Sequence, residues 1–146
     1  MRLAVPKEIE AGEMRVGLVP EVIPQIVKLG HTVAVEAGAG TRAGFTDDAY
    51  TAAGALVVAD AAAVYKNADI ILKVQRPTDE DGSGELALLH PGAVLIGLLQ
   101  PASDATFFSH AAERGVTTLS MELVPRTTRA QMMDALSSQS TVAGYK

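Results

Sequence analysis

Short apolar runs that alternate with helical patterns constrain this chain more than any other feature. Arg2–Val5, Thr32–Val35, Leu56–Val58, Asp69–Val74, Ala93–Leu99 and Thr117–Ser120 read as strands. Several are continuously apolar instead of alternating, the pattern of strands covered on both faces of a parallel sheet. The stretches near Val19–Leu29, Asp47–Ala53, Ala59–Asn67, Asp104–Arg114 and Arg129–Ser140 read as helices. This order predicts an α/β fold: a doubly wound, mostly parallel sheet with helices on both faces, Rossmann-like or its flavodoxin-like variant. Local chemistry supports the boundaries. Gly30 and Gly115 follow Leu29 and Arg114, where a C-cap glycine belongs. Ser103 is placed to cap the helix after Pro101. Pro24 sits in a first turn if its helix starts near Ile23, and kinks the helix otherwise. The stretch Pro77–Glu85 is acidic and turn-rich, and reads as an exposed loop before a short helical piece, Glu85–Leu89.

Composition narrows the function classes. At 146 residues the chain is about one domain, with 48% hydrophobic and 20% charged residues, an ordinary globular balance. Aromatics are only 4% and tryptophan is absent, so the core must be aliphatic. The net charge of −5 gives no basic footprint for nucleic acid. The lack of cysteine excludes a disulfide, a thiolate metal site and a thiol nucleophile. His31, His90 and His110 lie far apart without metal-ligand spacing, and read as structural; no metal site is expected. No signal peptide is visible, and the longest apolar run, near Ala93–Leu99, is far short of a membrane span. No direct membrane insertion is therefore expected.

Gly38-Ala39-Gly40-Thr41-Arg42-Ala43-Gly44 follows the second strand and invites a dinucleotide-binding reading. The spacing is G-x-G-x-x-x-G, one residue too long, and Phe45-Thr46-Asp47-Asp48 stands between the glycines and the next helix. A pyrophosphate site needs the helix to open directly from the glycines, so this reads as a structural loop. The richest polar cluster is Val124–Ser138, with Arg126, Arg129, Gln131, Asp134, Ser137 and Ser138 together in an otherwise alanine-rich chain. Thr128 and Gln131 have capping-box spacing. With Thr128 as the N-cap, Gln131, Asp134 and Ser138 share one helix face. Two readings fit. The row suits an amide-bearing or anionic ligand, or it is a capped helix with a solvated face. It lacks the nucleophile–base pairing of covalent catalysis. Met132 and Met133 read as packing residues.

The string VPRTTRAQMMDALSS resembles the end of the first domain of the alpha subunit of proton-translocating NAD(P) transhydrogenase. The opening, Met1–Glu8 with Glu13–Val16, is similar to the start of that subunit and equally to alanine dehydrogenase, a relative. The resemblance runs the length of the chain, and the Arg126–Asp134 segment is its more specific portion.

The resemblance implies hydride transfer between NAD(H) and NADP(H), coupled to proton movement. It implies nicotinamide-side contacts at Arg126, Gln131, Asp134 and Ser137, with no acid–base catalyst among them. Residues 1–127 would form the first α/β domain. Residues 128–146 would begin a helix leading to a second domain, absent from this chain, that holds most of the NAD(H). NADP(H) would sit on a separate component. The implied partners are NADP-binding and membrane-spanning components and a second copy of the chain. The implied location is cytoplasmic, peripheral to the inner membrane through those partners. A fragment or a split gene would both give such a chain.

In alanine dehydrogenase, residues matching Arg15 and Lys73 bind substrate, and a histidine after the next strand assists proton transfer. Gln100 stands at that position here and cannot act as acid or base at neutral pH. Arg15 and Lys73 are thus vestigial substrate-site positions on the transhydrogenase reading, and functional on an alanine-dehydrogenase reading. A third possibility is a non-catalytic assembly or regulatory domain.

Overall fold

The computed structural model describes residues 1–79 and 84–144. Strands β1 (Arg2–Val5), β2 (Thr32–Glu36), β3 (Leu56–Val58), β4 (Ile70–Gln75), β5 (Val94–Leu98) and β6 (Thr117–Ser120) form one sheet. Every pairing is parallel and the order is β3-β2-β1-β4-β5-β6. This is the doubly wound sheet expected, in the Rossmann order and not the flavodoxin-like 2-1-3-4-5. The helices are α1 (Ile23–Lys28), α2 (Asp47–Ala52), α3 (Ala61–Tyr65), α4 (Ala105–Glu113) and α5 (Ala135–Gly144).

The continuous apolar runs have the cause read from them. Leu3 and Val5 of β1 pack with Val33, Val35, Ile23 of α1 and Tyr50 of α2. Ala4, between them, joins Ala34, Ile71, Leu95, Tyr65 of α3 and Phe107 of α4. Successive residues of a strand point to opposite faces, so a strand covered on both must be apolar throughout. Against the expectation of a wholly aliphatic core, the three largest fully buried side chains are aromatic, Tyr50 on one face and Tyr65 with Phe107 on the other.

Most helix ends use the expected chemistry. Gly30 and Gly115 take φ values of 82° and 71° past α1 and α4, a left-handed turn that a side chain would oppose. Pro24 is the second residue of α1, behind a 3-10 turn at Pro20–Val22. An N–H there has no intrahelical acceptor, so the proline costs no bond and makes no kink. The cap of α4 differs from expectation. Asp104 Oδ1 accepts from the Phe107 N–H at 3.1 Å, while the Ser103 hydroxyl turns back to the Gln100 carbonyl at 2.8 Å.

The largest departure is at the end of the chain. The capping box at Thr128 and Gln131 does not form. Residues 128–130 are turn, Gln131–Met133 is a 3-10 turn without a side-chain cap, and the α-helix starts only at Ala135. Ala130, Met133 and Asp134 each donate their N–H three residues back, to Thr127, Ala130 and Gln131. Asp134 then opens to ψ 100°, which breaks the helical run. Gln131 and Asp134 therefore precede α5 and share no helix face with Ser138. Asp134 occupies the position just before a helix, where aspartate is favoured. Of the Pro77–Glu85 loop, Glu80–Ser83 lie outside the described residues.

Candidate functional site

The sheet order reverses between β1 and β4, and the crevice beyond their C-terminal ends is where open α/β sheets bind ligands. Glu8 follows β1 into this crevice. The β4–β5 register shifts between Leu72 and Gln75, and there the N–H groups of Val74 and Gln75 go to the Glu8 carboxylate at 2.6 and 3.3 Å. Lys73 Nζ donates to Glu85 Oε1 at 2.6 Å and lies 3.7 Å from Glu8 Oε2, with its side chain only 1% exposed. The Tyr65 hydroxyl donates to the same Glu85 oxygen at 3.1 Å, and the Thr78 N–H reaches the other at 3.2 Å. Two carboxylates thus share one buried ammonium. Burial pushes the Glu8 carboxyl up, against the pull of Lys73 and the two backbone donors. Burial, with Glu85 beside it, also pushes the Tyr65 phenol far up.

A second network adjoins the first. Glu13 accepts from Arg15 Nε and Nη2 at 2.8 and 2.7 Å, and from Gln75 Nε2 at 2.7 Å. The Arg15 bonds, helped by Gln75 and opposed by burial, pull the Glu13 carboxyl down to about 2. Arg15 itself is 47% exposed on its side chain. Arg15 and Lys73 border one cavity of about 610 Å³ with Gly17, Gly97, Leu98 and Ala135. The structure therefore brings these two together, but commits the Lys73 ammonium to Glu85 and Glu8. Glu85 and Tyr65 were missed in the sequence. Glu85 closes an acidic stretch that looks solvated, and nothing in its spacing points to Lys73.

Gln100 lies elsewhere. It borders a different cavity, of about 630 Å³, with Arg76, Asp104, Phe107 and His110. Its backbone is left-handed, at φ 52°, and its N–H is held by Glu122 Oε1. Arg76 pairs with Asp104 at 3.1 Å and lies 5.4 Å from the centre of the Phe107 ring. His110 Nδ1 is 2.5 Å from Asp79 Oδ2, whose hydrogen bond and charge push the imidazole pKa up. His90 bonds the Pro91 and Ala68 carbonyls, a structural role.

Arg126, Gln131 and Asp134 border one cavity of about 270 Å³ with Thr127 and Thr128. A neighbouring cavity of about 260 Å³ shares Arg126 and Asp134 and adds Leu98, Glu122, Val124, Ala135 and Gln139. Arg126 forms no ion pair with any described residue. Ser137 lies in α5, and its side chain is outside what is described. The glycine loop is a packing device: a Cβ at Gly40 would come within 2.6 Å of Tyr50 and 2.9 Å of Phe45. No cluster of metal-ligating side chains occurs among the described residues.

An all-parallel sheet in Rossmann order, with charged groups gathered at its switch point, defines the class: a doubly wound, Rossmann-like α/β domain. The chain belongs to the family described as alanine dehydrogenase/PNT, N-terminal domain, which it matches over residues 4–143. It is 48% identical over 147 residues to a polypeptide of NAD(P) transhydrogenase subunit alpha from Rhodospirillum rubrum, covering 100% of this chain and 38% of that polypeptide. It is 35% identical to alanine dehydrogenase of Bacillus subtilis, covering 99% of this chain and 36% of the relative. Among solved structures it resembles the transhydrogenase from Sinorhizobium meliloti, with a TM-score of 0.91 and 42% identity over 99% of this chain and 42% of that one. An L-alanine dehydrogenase matches with a TM-score of 0.80 and 33% identity, over 89% of this chain and 34% of that one. The chain thus spans well under half the length of these relatives. No helix among the described residues is long and apolar enough to cross a membrane.

Proposed function

We propose that this chain is the N-terminal domain of the NAD(H)-binding component of a proton-translocating transhydrogenase. Residues 1–127 are its first domain, and residues 128–146 lead through α5 to a second domain that holds most of the NAD(H). NADP(H) belongs to a separate component, and the assembly includes a second copy of this chain and membrane-spanning partners. On this reading the domain is cytoplasmic, held at the inner membrane by those partners.

The carrying observation is the cavity bordered by Arg126, Gln131 and Asp134, in which the guanidinium has no described ion-pair partner. Its donor set fits a nicotinamide. Arg126 donates to a carbonyl or ribose oxygen, Gln131 both donates to and accepts from a carboxamide, and Asp134 accepts from an amide or hydroxyl. Ser137 extends the same set. The bound nicotinamides supply the hydride chemistry. The residues of this domain orient and exclude water, the contribution that alignment of two reactants requires. The 48% identity to a protein named as a transhydrogenase subunit supports the same reading.

One observation favours an alanine-dehydrogenase-type site: Arg15 and Lys73 border one cavity. Against it stand the burial of the Lys73 ammonium between two carboxylates and the glutamine at position 100. On our reading Arg15 and Lys73 are vestigial. The full-length protein, combined with its NADP-binding component, should reduce an NAD analogue with NADPH and should not reduce NAD with alanine. Alanine-dependent NAD reduction without transhydrogenation would overturn the assignment.

A further inference from the structure

The loop after β5 and the segment that carries Arg126 are tied by one side chain. Glu122 lies in a 3-10 turn, Met121–Leu123, directly after β6. Its Oε1 accepts the backbone N–H of Gln100. Gln100 is one of two non-glycine residues with positive φ among those described, at 52°. This conformation costs a non-glycine side chain energy and persists where its surroundings hold it. The Gln100 carbonyl is held as well, by the Ser103 N–H at 3.0 Å and the Ser103 hydroxyl at 2.8 Å. Arg76 in turn donates to that hydroxyl and pairs with Asp104. The β5–α4 loop is thus braced from both sides.

Glu122 also borders the cavity of about 260 Å³ that contains Arg126 and Asp134, and α5 packs against its turn. Only Leu123, Val124 and Pro125 separate it from Arg126. A carboxylate at this junction fixes the turn against the end of β5, and so sets where the arginine segment leaves the sheet. We infer that Glu122, through its hydrogen bond to the Gln100 N–H, is a positioning residue that sets the placement of Arg126 and Asp134 toward the nicotinamide. It touches neither reacting atom. The inference rests on the proposed transhydrogenase reading, and adds a residue outside the Arg126–Asp134 set.

The test uses the full-length protein with its NADP-binding component. The parent is assayed first for NADPH-dependent reduction of an NAD analogue, and its inactivity would fail the functional reading itself. With an active parent, Glu122→Ala should lower kcat by about tenfold, since small misplacements of reacting groups are costly. The KM for the NAD analogue should stay within about twofold and the melting temperature near the parent's, because orientation is lost rather than binding. Glu122→Gln keeps an acceptor oxygen for the Gln100 N–H and should restore most of the rate. A kcat unchanged in Glu122→Ala overturns the inference. So does a loss that Glu122→Gln fails to restore, which would make the charge near Arg126 the cause. A melting temperature that falls in step with the rate would return Glu122 to a structural role and overturn it equally.

Discussion

The switch-point crevice and the segment from Arg126 to Asp134 are both rich in polar groups, and they handle them in opposite ways. In the crevice the charges are paired with one another, and only Arg15 among these is substantially exposed. Glu8, Glu13 and Lys73 are buried, Glu13 holds Arg15 through two nitrogens, and Lys73 sits between Glu85 and Glu8. No buried side-chain polar atom among the described residues lacks a partner. Along the other segment, a turn and one 3-10 turn replace a regular helix, Gln131 and Arg126 are exposed, and the guanidinium has no ion-pair partner among the described residues. Polar groups that satisfy one another stabilise a scaffold. A guanidinium that has no ion-pair partner among the described residues costs little on an exposed rim, and can turn to a ligand.

The comparison breaks most sharply at Lys73. Lys73→Met removes the ammonium that lies between Glu8 and Glu85, and should cost about 3–5 kcal/mol, the range for breaking a buried pair. Urea unfolding measures it, and a loss below about 1 kcal/mol would place the cluster among weak surface pairs. A smaller effect belongs to pH. The Glu13 carboxyl is pulled from 4.5 down to about 2 in the folded state. Its contribution is present above pH 4.5 and is lost as pH falls from there toward 2. Glu13→Gln should flatten the melting-temperature curve in that window, and an unchanged curve would deny the network its role. Glu8 has the opposite sign. Its raised carboxyl contributes stability that is full below 4.5 and lost as pH rises through the folded value. The smallest effect is on the other side of the comparison. Arg126→Ala and Gln131→Ala should each change stability by less than about 0.5 kcal/mol, as exposed residues do. A loss near 1 kcal/mol at Gln131 would restore the helix cap.

What could be read beforehand follows the same division. The strands were legible because burial on two faces forces continuous apolar runs, as in Ile70-Ile71-Leu72 of β4 and Leu95-Ile96 of β5. Helix ends were legible where one residue type meets one backbone need, as at Gly30, Gly115 and Pro24. Asp104 took the cap expected of Ser103, since both neighbours suit that position and only the local turn chooses. The helix at Arg129 was misplaced because Thr128 and Gln131 have the right spacing and the wrong backbone. Glu85 was illegible. Its partner Lys73 is 12 positions away, and a pairing across that loop leaves no periodic trace. The Arg126–Asp134 set was legible as a cluster of residue types, and the role proposed for it comes from the resemblance, since composition alone left it open.

The central claim is that the Arg126–Asp134 segment orients a nicotinamide and contributes little to the fold. The most direct measurement is the single-turnover rate of hydride transfer in Gln131→Ala and Asp134→Asn forms of the full-length protein, beside their melting temperatures. The account expects the rate to fall by about a hundredfold, the scale of a small misplacement at the reacting centre, with melting temperatures close to the parent's. Full transfer rates in both variants would contradict it.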